Sequence, residues 1–229
     1  MKMWNFRGHS VIALGLLATG FLFAPSGNAT LLAPGTSGVA IGTDTVPAGG
    51  TVVADILNNT VTTTQSGDTL TVDYSEWVYK EAGGTLDFII QADNTGTSGQ
   101  DFIDQITTSS FVGTGSTTTD VGFNSSVPGL TTISPAGIDP TNGGRSSNGA
   151  VVTFNFGSNE VMSGEKTDYL IIKTNATAFI PGTVSFQDGV TATGAGFGVA
   201  PEPGSVGLLL GGLFGVGLLV TRRFRAQQS

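Results

Sequence analysis

From Thr69 to Lys80 the chain reads TLTVDYSEWVYK. Leu70, Val72, Tyr74 and Val78 fall on one side of the alternation, and Thr71, Asp73, Ser75, Trp77 and Tyr79 on the other. A repeat of two is that of a β-strand, whose successive side chains point to opposite faces. The same pattern follows in GTLDFIIQAD, where Leu86, Phe88, Ile90 and Ala92 oppose Thr85, Asp87, Gln91 and Asp93. Further strands are predicted at 51–57, 101–111, 150–156, 168–174 and 182–187, separated by turn-rich stretches such as NTGTSGQ, VGTGST and SPAGIDPTNGGRSSNG. Several short strands, glycine-rich turns and no helical period predict an all-β body: one antiparallel β-sandwich or jelly roll over residues 30–195. A β-solenoid is the alternative, but no fixed repeat of about 20–30 residues defines its coils. The interval 130–149 reads as the longest loop.

The two ends break this pattern. Residues 1–29 carry Lys2 and Arg7, an apolar stretch from Val11 to Phe23, then Pro25 and small residues up to Ala29. That order predicts a signal helix cleaved by signal peptidase between Ala29 and Thr30, hence export through the general secretion machinery. Residues 205–221 carry no charge and are apolar on every side, which predicts a transmembrane helix at the short end of what spans a bilayer. Arg222, Arg223 and Arg225 follow at once, in a basic tail of residues 222–229 that stays on the cytoplasmic side. Six glycines between Gly204 and Gly217 weaken that helix, since each costs about 1 kcal/mol relative to alanine in water. Residues 196–204 read as a Pro/Gly stalk, in which Pro201 and Pro203 hold Glu202 extended and deny it backbone donors.

The succession Pro201-Glu202-Pro203, glycine-rich apolar span, arginine cluster resembles the PEP-CTERM sorting tail of exported bacterial proteins, a tail also known under an ice-binding protein C-terminal label. The likeness covers residues 199–229. It implies that an exosortase, an integral-membrane cysteine transpeptidase, takes the tail as substrate near Pro201, Glu202 and Pro203 and frees or re-attaches the body. The implied destination is a single-pass membrane precursor, then the cell surface or the extracellular matrix. Nothing about the body's activity follows from the tail.

Composition narrows the chemistry. Between residues 30 and 200 stand sixteen acidic residues (Glu202 lies beyond) and four basic ones, Lys80, Arg145, Lys166 and Lys173. Such an acidic body repels phosphate backbones, so no nucleic acid is expected as a partner. Cysteine is absent from the 229 residues and the one histidine, His9, lies in the signal segment. Disulfides, Ser-His-Asp and Cys-His nucleophiles, and imidazole or thiolate metal sites therefore lack their parts in the body. The reading is a non-enzymatic protein without a cofactor.

Three groups of residues carry alternatives. Trp77 and Tyr79, beside Asp73, could stack on sugar rings of an exopolysaccharide, although aromatic residues also fill the second face of a small sandwich. Asp93, Asn94, Gln100, Asp101 and Asp104 are hard oxygen donors of the type calcium takes, and equally what turns require. Glu76 and Glu81 form a carboxylate pair of the kind a glycosidase uses, and that reading requires both acids to converge in a cleft. Threonine pairs such as Thr69 and Thr71 read as isolated strand-surface hydroxyls. The expectation is thus a surface or matrix protein, with a carbohydrate- or calcium-binding module as the alternative.

Overall fold

The computed structural model describes residues 29–65, 67–97, 101–112, 119–131 and 136–200. The predicted signal helix and transmembrane helix lie outside them. Among the described residues no helix is long and apolar enough to cross a membrane.

Among the described residues fourteen strands follow one another: β1 (Thr30–Leu31), β2 (Val39–Ala40), β3 (Thr51–Gln65), β4 (Asp68–Lys80), β5 (Leu86–Asn94), β6 (Phe102–Ile103) and β7 (Gln105–Thr108). Then come β8 (Thr119–Asn124), β9 (Asn142–Arg145), β10 (Val152–Asn155), β11 (Val161–Met162), β12 (Tyr169–Thr174), β13 (Phe179–Asp188) and β14 (Val190–Val199). One six-stranded sheet runs β1-β8-β12-β5-β4-β3, a second runs β14-β13-β7-β10-β9-β2, and β11 pairs with β6. Every pairing between these strands is antiparallel. The body is all-β and sandwich-like, as its alternation predicts.

The alternating residues explain the layering. Leu70, Val72, Tyr74 and Val78 of β4 and Phe88, Ile90 and Ala92 of β5 join Leu170 and Ile172 of β12 in one buried cluster. Ile106, Phe154, Val184 and Phe186 close it from the second sheet. Arg145, at the end of β9, is itself buried and donates to three backbone carbonyls: Gly149 O from Nε at 3.0 Å, Phe111 O from Nη2 at 2.9 Å and Leu32 O from Nη1 at 3.3 Å. It ties β1 and two loops together. Burial lowers the guanidinium pKa from its ordinary value.

Several boundaries differ from those the sequence predicts: β3 runs on to Gln65 where a strand over 51–57 is expected, and β8 forms where no strand is expected. Residues 101–111 form two short strands, β6 and β7, because Asp104 interrupts them; its N–H bonds Gln187 O instead of continuing the ladder. The expected loop 130–149 contains β9, whose two central glycines give no period-two signal. The expected stalk from Gly196 is strand up to Val199, which is buried.

Candidate functional site

The face of the first sheet that points away from the main core carries the odd-numbered residues of β4 and β5. Along it, Asp73 lies directly opposite Asp93, and Ser75 lies opposite Gln91. Asp93 is bridged on its other side by Lys166. Asn58 and Tyr74 complete the lining of a shallow depression with these five residues. Asn58 enters because β3 is irregular between Ile56 and Asn59; it takes a left-handed backbone (φ 49°) and its N–H donates to Ser75 Oγ at 2.9 Å.

Two like charges facing each other across strands repel. Burial raises the Asp93 carboxyl pKa above its ordinary value, the Lys166 ammonium pulls it down, and Asp73 pushes it up again. Asp73 also accepts a hydrogen bond from Thr60 Oγ1. The depression therefore offers acceptors, one cation and amide and hydroxyl groups within one shallow polar surface. Such a surface suits hydrogen bonding to a polyhydroxylated ligand better than insertion of an apolar one.

Trp77 and Tyr79 do not line it. Tyr79 is buried and donates its hydroxyl to Pro47 O at 3.2 Å. Trp77 packs edge-on against Tyr169, with ring centroids 5.6 Å apart. Together with Ile89, Ile171, Val46 and Val127 they form a second, smaller core under the loops that cross this face. Burial of Tyr79 removes the flat, open ring a sugar would stack on, and Trp77, half-buried, packs against this second core.

Glu76 and Glu81 do not converge. Glu76 sits on the core face of β4, fully buried, and its Oε2 accepts the N–H of Phe197 at 3.0 Å. Glu81 follows β4 on the other face and accepts Thr85 Oγ1 at 3.0 Å. Burial pushes the Glu76 carboxyl up to about 8, against the Phe197 hydrogen bond that draws it down.

The residues of the expected calcium loop are also dispersed. Asp93 belongs to the depression, whereas Asn94 is buried, donating Nδ2 to Asp101 O at 3.0 Å and Val161 O at 2.9 Å and accepting Gly96 N–H through Oδ1. Asn94 thus spends its amide on closing the loop. Asp104 lies between β6 and β7, and Gln100 lies outside the described residues. Among the described residues no group of three His, Cys, Asp or Glu side chains is placed to hold a metal ion.

Other relationships were invisible in the sequence. The strand-surface hydroxyls of Thr69 and Thr71 pair across the β3–β4 hairpin with Thr64 at 3.0 Å and Thr62 at 3.2 Å. Asp139 and Asp168 face each other closely enough for their carboxyls to share a proton. Burial first, then that pairing, raise Asp139 to about 6. Asp44, Asp87 and Lys173 meet at the far end of the same outer face from the depression. Each is an ordinary polar residue in its local stretch, and only strand register brings them together.

Of the residues assigned to processing, Ala29 is described and immediately precedes β1. Pro201, Glu202, Pro203, Arg222, Arg223 and Arg225 lie outside the described residues. Compared with protein-family models, curated proteins and solved structures, the chain has no match.

Proposed function

We propose that this chain is an exported bacterial surface or matrix protein of non-enzymatic type, delivered as a membrane-held precursor and trimmed at its C-terminal tail. The observation that supports this reading is the placement of the folded body between the two processing signals. β1 begins at Thr30, next to the predicted cleavage after Ala29, and β14 ends at Val199, two residues before Pro201. Cleavage at either point would leave every strand intact. In this reading signal peptidase acts at Ala29, the apolar span 205–221 holds the precursor, Arg222, Arg223 and Arg225 fix its orientation, and an exosortase-type transpeptidase works at Pro201, Glu202 and Pro203. Intact-mass measurement of the surface-associated protein from exosortase-positive and exosortase-negative cells tests this. The expected mature form begins at Thr30 and lacks the arginine cluster only where the transpeptidase is present. A mature species that still ends at Ser229 in both strains overturns it.

A second reading, a carbohydrate-binding module, is favoured by one feature, the polar depression around Asp73, Asp93 and Lys166. Its side chains would hydrogen-bond sugar hydroxyls without aromatic stacking. Calorimetric titration of the mature protein with acidic and neutral polysaccharides is the test, with D73N and D93N expected to weaken any binding. No heat with either class of polysaccharide removes this reading.

A further inference from the structure

A cysteine-free exported body has no disulfide to hold it, yet one end of the outer face places an amine against a carboxyl in a built, buried setting. Lys173 of β12 donates from Nζ to Asp44 Oδ1 at 2.8 Å, and the two side chains are only 12% and 0% exposed. Nζ donates also to Thr45 O at 2.7 Å, while Asp44 Oδ1 accepts the Thr45 N–H at 2.7 Å. The other oxygen, Asp44 Oδ2, is buried without a hydrogen-bond partner. Room for this carboxyl comes from Gly122 of β8: a Cβ there would stand 2.4 Å from Asp44 Cβ. The backbone fixes Asp44 as well, its N–H bonding Phe123 O at 2.9 Å and its carbonyl accepting Asn124 Nδ2 at 2.6 Å.

A third group completes the arrangement. Asp87 of β5 lies directly opposite Lys173 in the strand register, with no exposure and no hydrogen-bond donor on either carboxyl oxygen. Burial pushes its pKa up to about 8; the nearby Glu81 carboxyl raises it further, Lys173 lowers it and Asp44 raises it. Asp87 therefore holds a proton at neutral pH. Asp120, opposite Lys173 on β8, is the remaining acid near the amine.

We propose that Lys173 and Asp44 join covalently, forming an intramolecular amide between Nζ and Cγ with Asp87 as the proton carrier. In the first step a proton leaves the ammonium for the Asp44 carboxylate, giving a neutral amine and a neutral acid. Nζ then attacks Cγ. As the tetrahedral centre collapses, the C–O bond to one Asp44 oxygen breaks, Asp87 passes its proton to that oxygen, and Asp87 recovers a proton from Nζ. The products are one amide and one water, and Asp87 ends as it began. No oxidant or cofactor takes part.

Two physical terms favour this in the fold although the same reaction fails between free side chains in water. The structure already holds the reacting groups in contact, and well-oriented intramolecular pairs reach effective molarities of about 10⁵ M or more. In addition, a buried ion pair carries a desolvation penalty that its Coulomb energy does not fully offset, and a neutral amide abolishes both charges. The bond would tie the segment after β2 to β12, closing a loop of 129 residues, which is where a covalent link constrains the unfolded chain most.

Peptide mapping of the mature protein after tryptic digestion tests the proposal. The wild type should lack the free peptide 167–173, because trypsin does not cut at an acylated lysine. A branched species should join the Lys173 and Asp44 fragments and be lighter by one water than their sum. K173R and D44A should yield only linear peptides, and D87N, which keeps the shape but cannot carry the proton, should leave Lys173 and Asp44 unjoined. Free peptide 167–173 with an unmodified Asp44 fragment in the wild type overturns the cross-link. A cross-link that persists in D87N overturns the role given to Asp87.

Discussion

Glu76 of β4 caps the open edge of β14: its Oε2 accepts the Phe197 N–H at 3.0 Å, and two residues along the strand Tyr74 donates its hydroxyl to Ala195 O at 2.6 Å. Ala195 and Phe197 lie opposite Thr183 and Pro181 of β13, and among the described residues β14 pairs with no strand on its other side. An unpaired edge is a template for unwanted pairing. Here two side chains from the opposite sheet occupy its donor and acceptor.

Close approach is possible because β14 is bare at these positions. A Cβ on Gly194 would stand 2.3 Å from Tyr74 Oη, and one on Gly196 would stand 2.9 Å from Glu76 Oε2. Gly194→Ala should therefore cost about 1–3 kcal/mol by overpacking, or more where Tyr74 also loses its bond to Ala195. Urea unfolding of the variant and the wild type measures this. A variant as stable as the wild type would refute the close packing of Tyr74 on β14.

Stability should fall as pH rises. Glu76 has a folded pKa of about 8, above the ordinary 4.5, so its neutral form is the one the fold prefers. That contribution is complete below about pH 4.5 and is lost as pH climbs through about 8. Asp87, also raised to about 8, acts in the same direction unless its partners are consumed by the proposed cross-link. The melting temperature should be higher near pH 5 than near pH 8.5, and Glu76→Gln should flatten the dependence. An optimum at alkaline pH is incompatible with these buried acids.

The Asp139 and Asp168 pair predicts a stabilising substitution. Burial and the facing Asp168 carboxyl raise Asp139 to about 6, and Asp168 Oδ1 accepts the Gly137 N–H at 2.6 Å. Above that pH two carboxylates face each other. Asp139→Asn should raise the melting temperature near pH 8 and change little near pH 5, as read by thermal denaturation at both values. A loss of stability at pH 8 would show that the pair is not repulsive.

Arg145 predicts a large loss. Its replacement by Ala orphans the carbonyls of Leu32, Phe111 and Gly149 and opens a hole beneath β1. The expected cost is about 3 kcal/mol or more, well above that of an exposed cation. Denaturant titration of Arg145→Ala beside Lys80→Ala provides the comparison, and equal effects would contradict the buried role.

The end of the body can be located by truncation. A chain stopped after Ala200 keeps Phe197, Val199 and the Ala200 N–H bond to Ala178 O at 3.0 Å. A chain stopped after Ala195 loses the donor that Glu76 accepts, leaving a buried carboxyl alone. The first should melt like the untruncated body and the second at a markedly lower temperature. Equal melting of the two would place residues 196–199 outside the cooperative fold.

The alternation in TLTVDYSEWVYK was sufficient to give strand β4 and the inward side of Leu70, Val72, Tyr74 and Val78, because side chains two residues apart must share a face. It also put Glu76 on that inward side, where a carboxylate looks out of place until β14 supplies its partner. Strand β14 itself was half hidden: VTATGAGFGV offers Gly194, Gly196 and Gly198 to the core, and glycine carries no hydrophobic period. Only packing explains those glycines, since the bulk that fills the space belongs to the opposite sheet. The signals expected at the two ends rest on local hydrophobicity and charge alone, and residues 1–28 and 201–229 lie outside the described residues. The meeting of Asp44 with Lys173, or of Asp73 with Asp93, was decided by register between strands distant in sequence, which a single chain's local pattern does not encode.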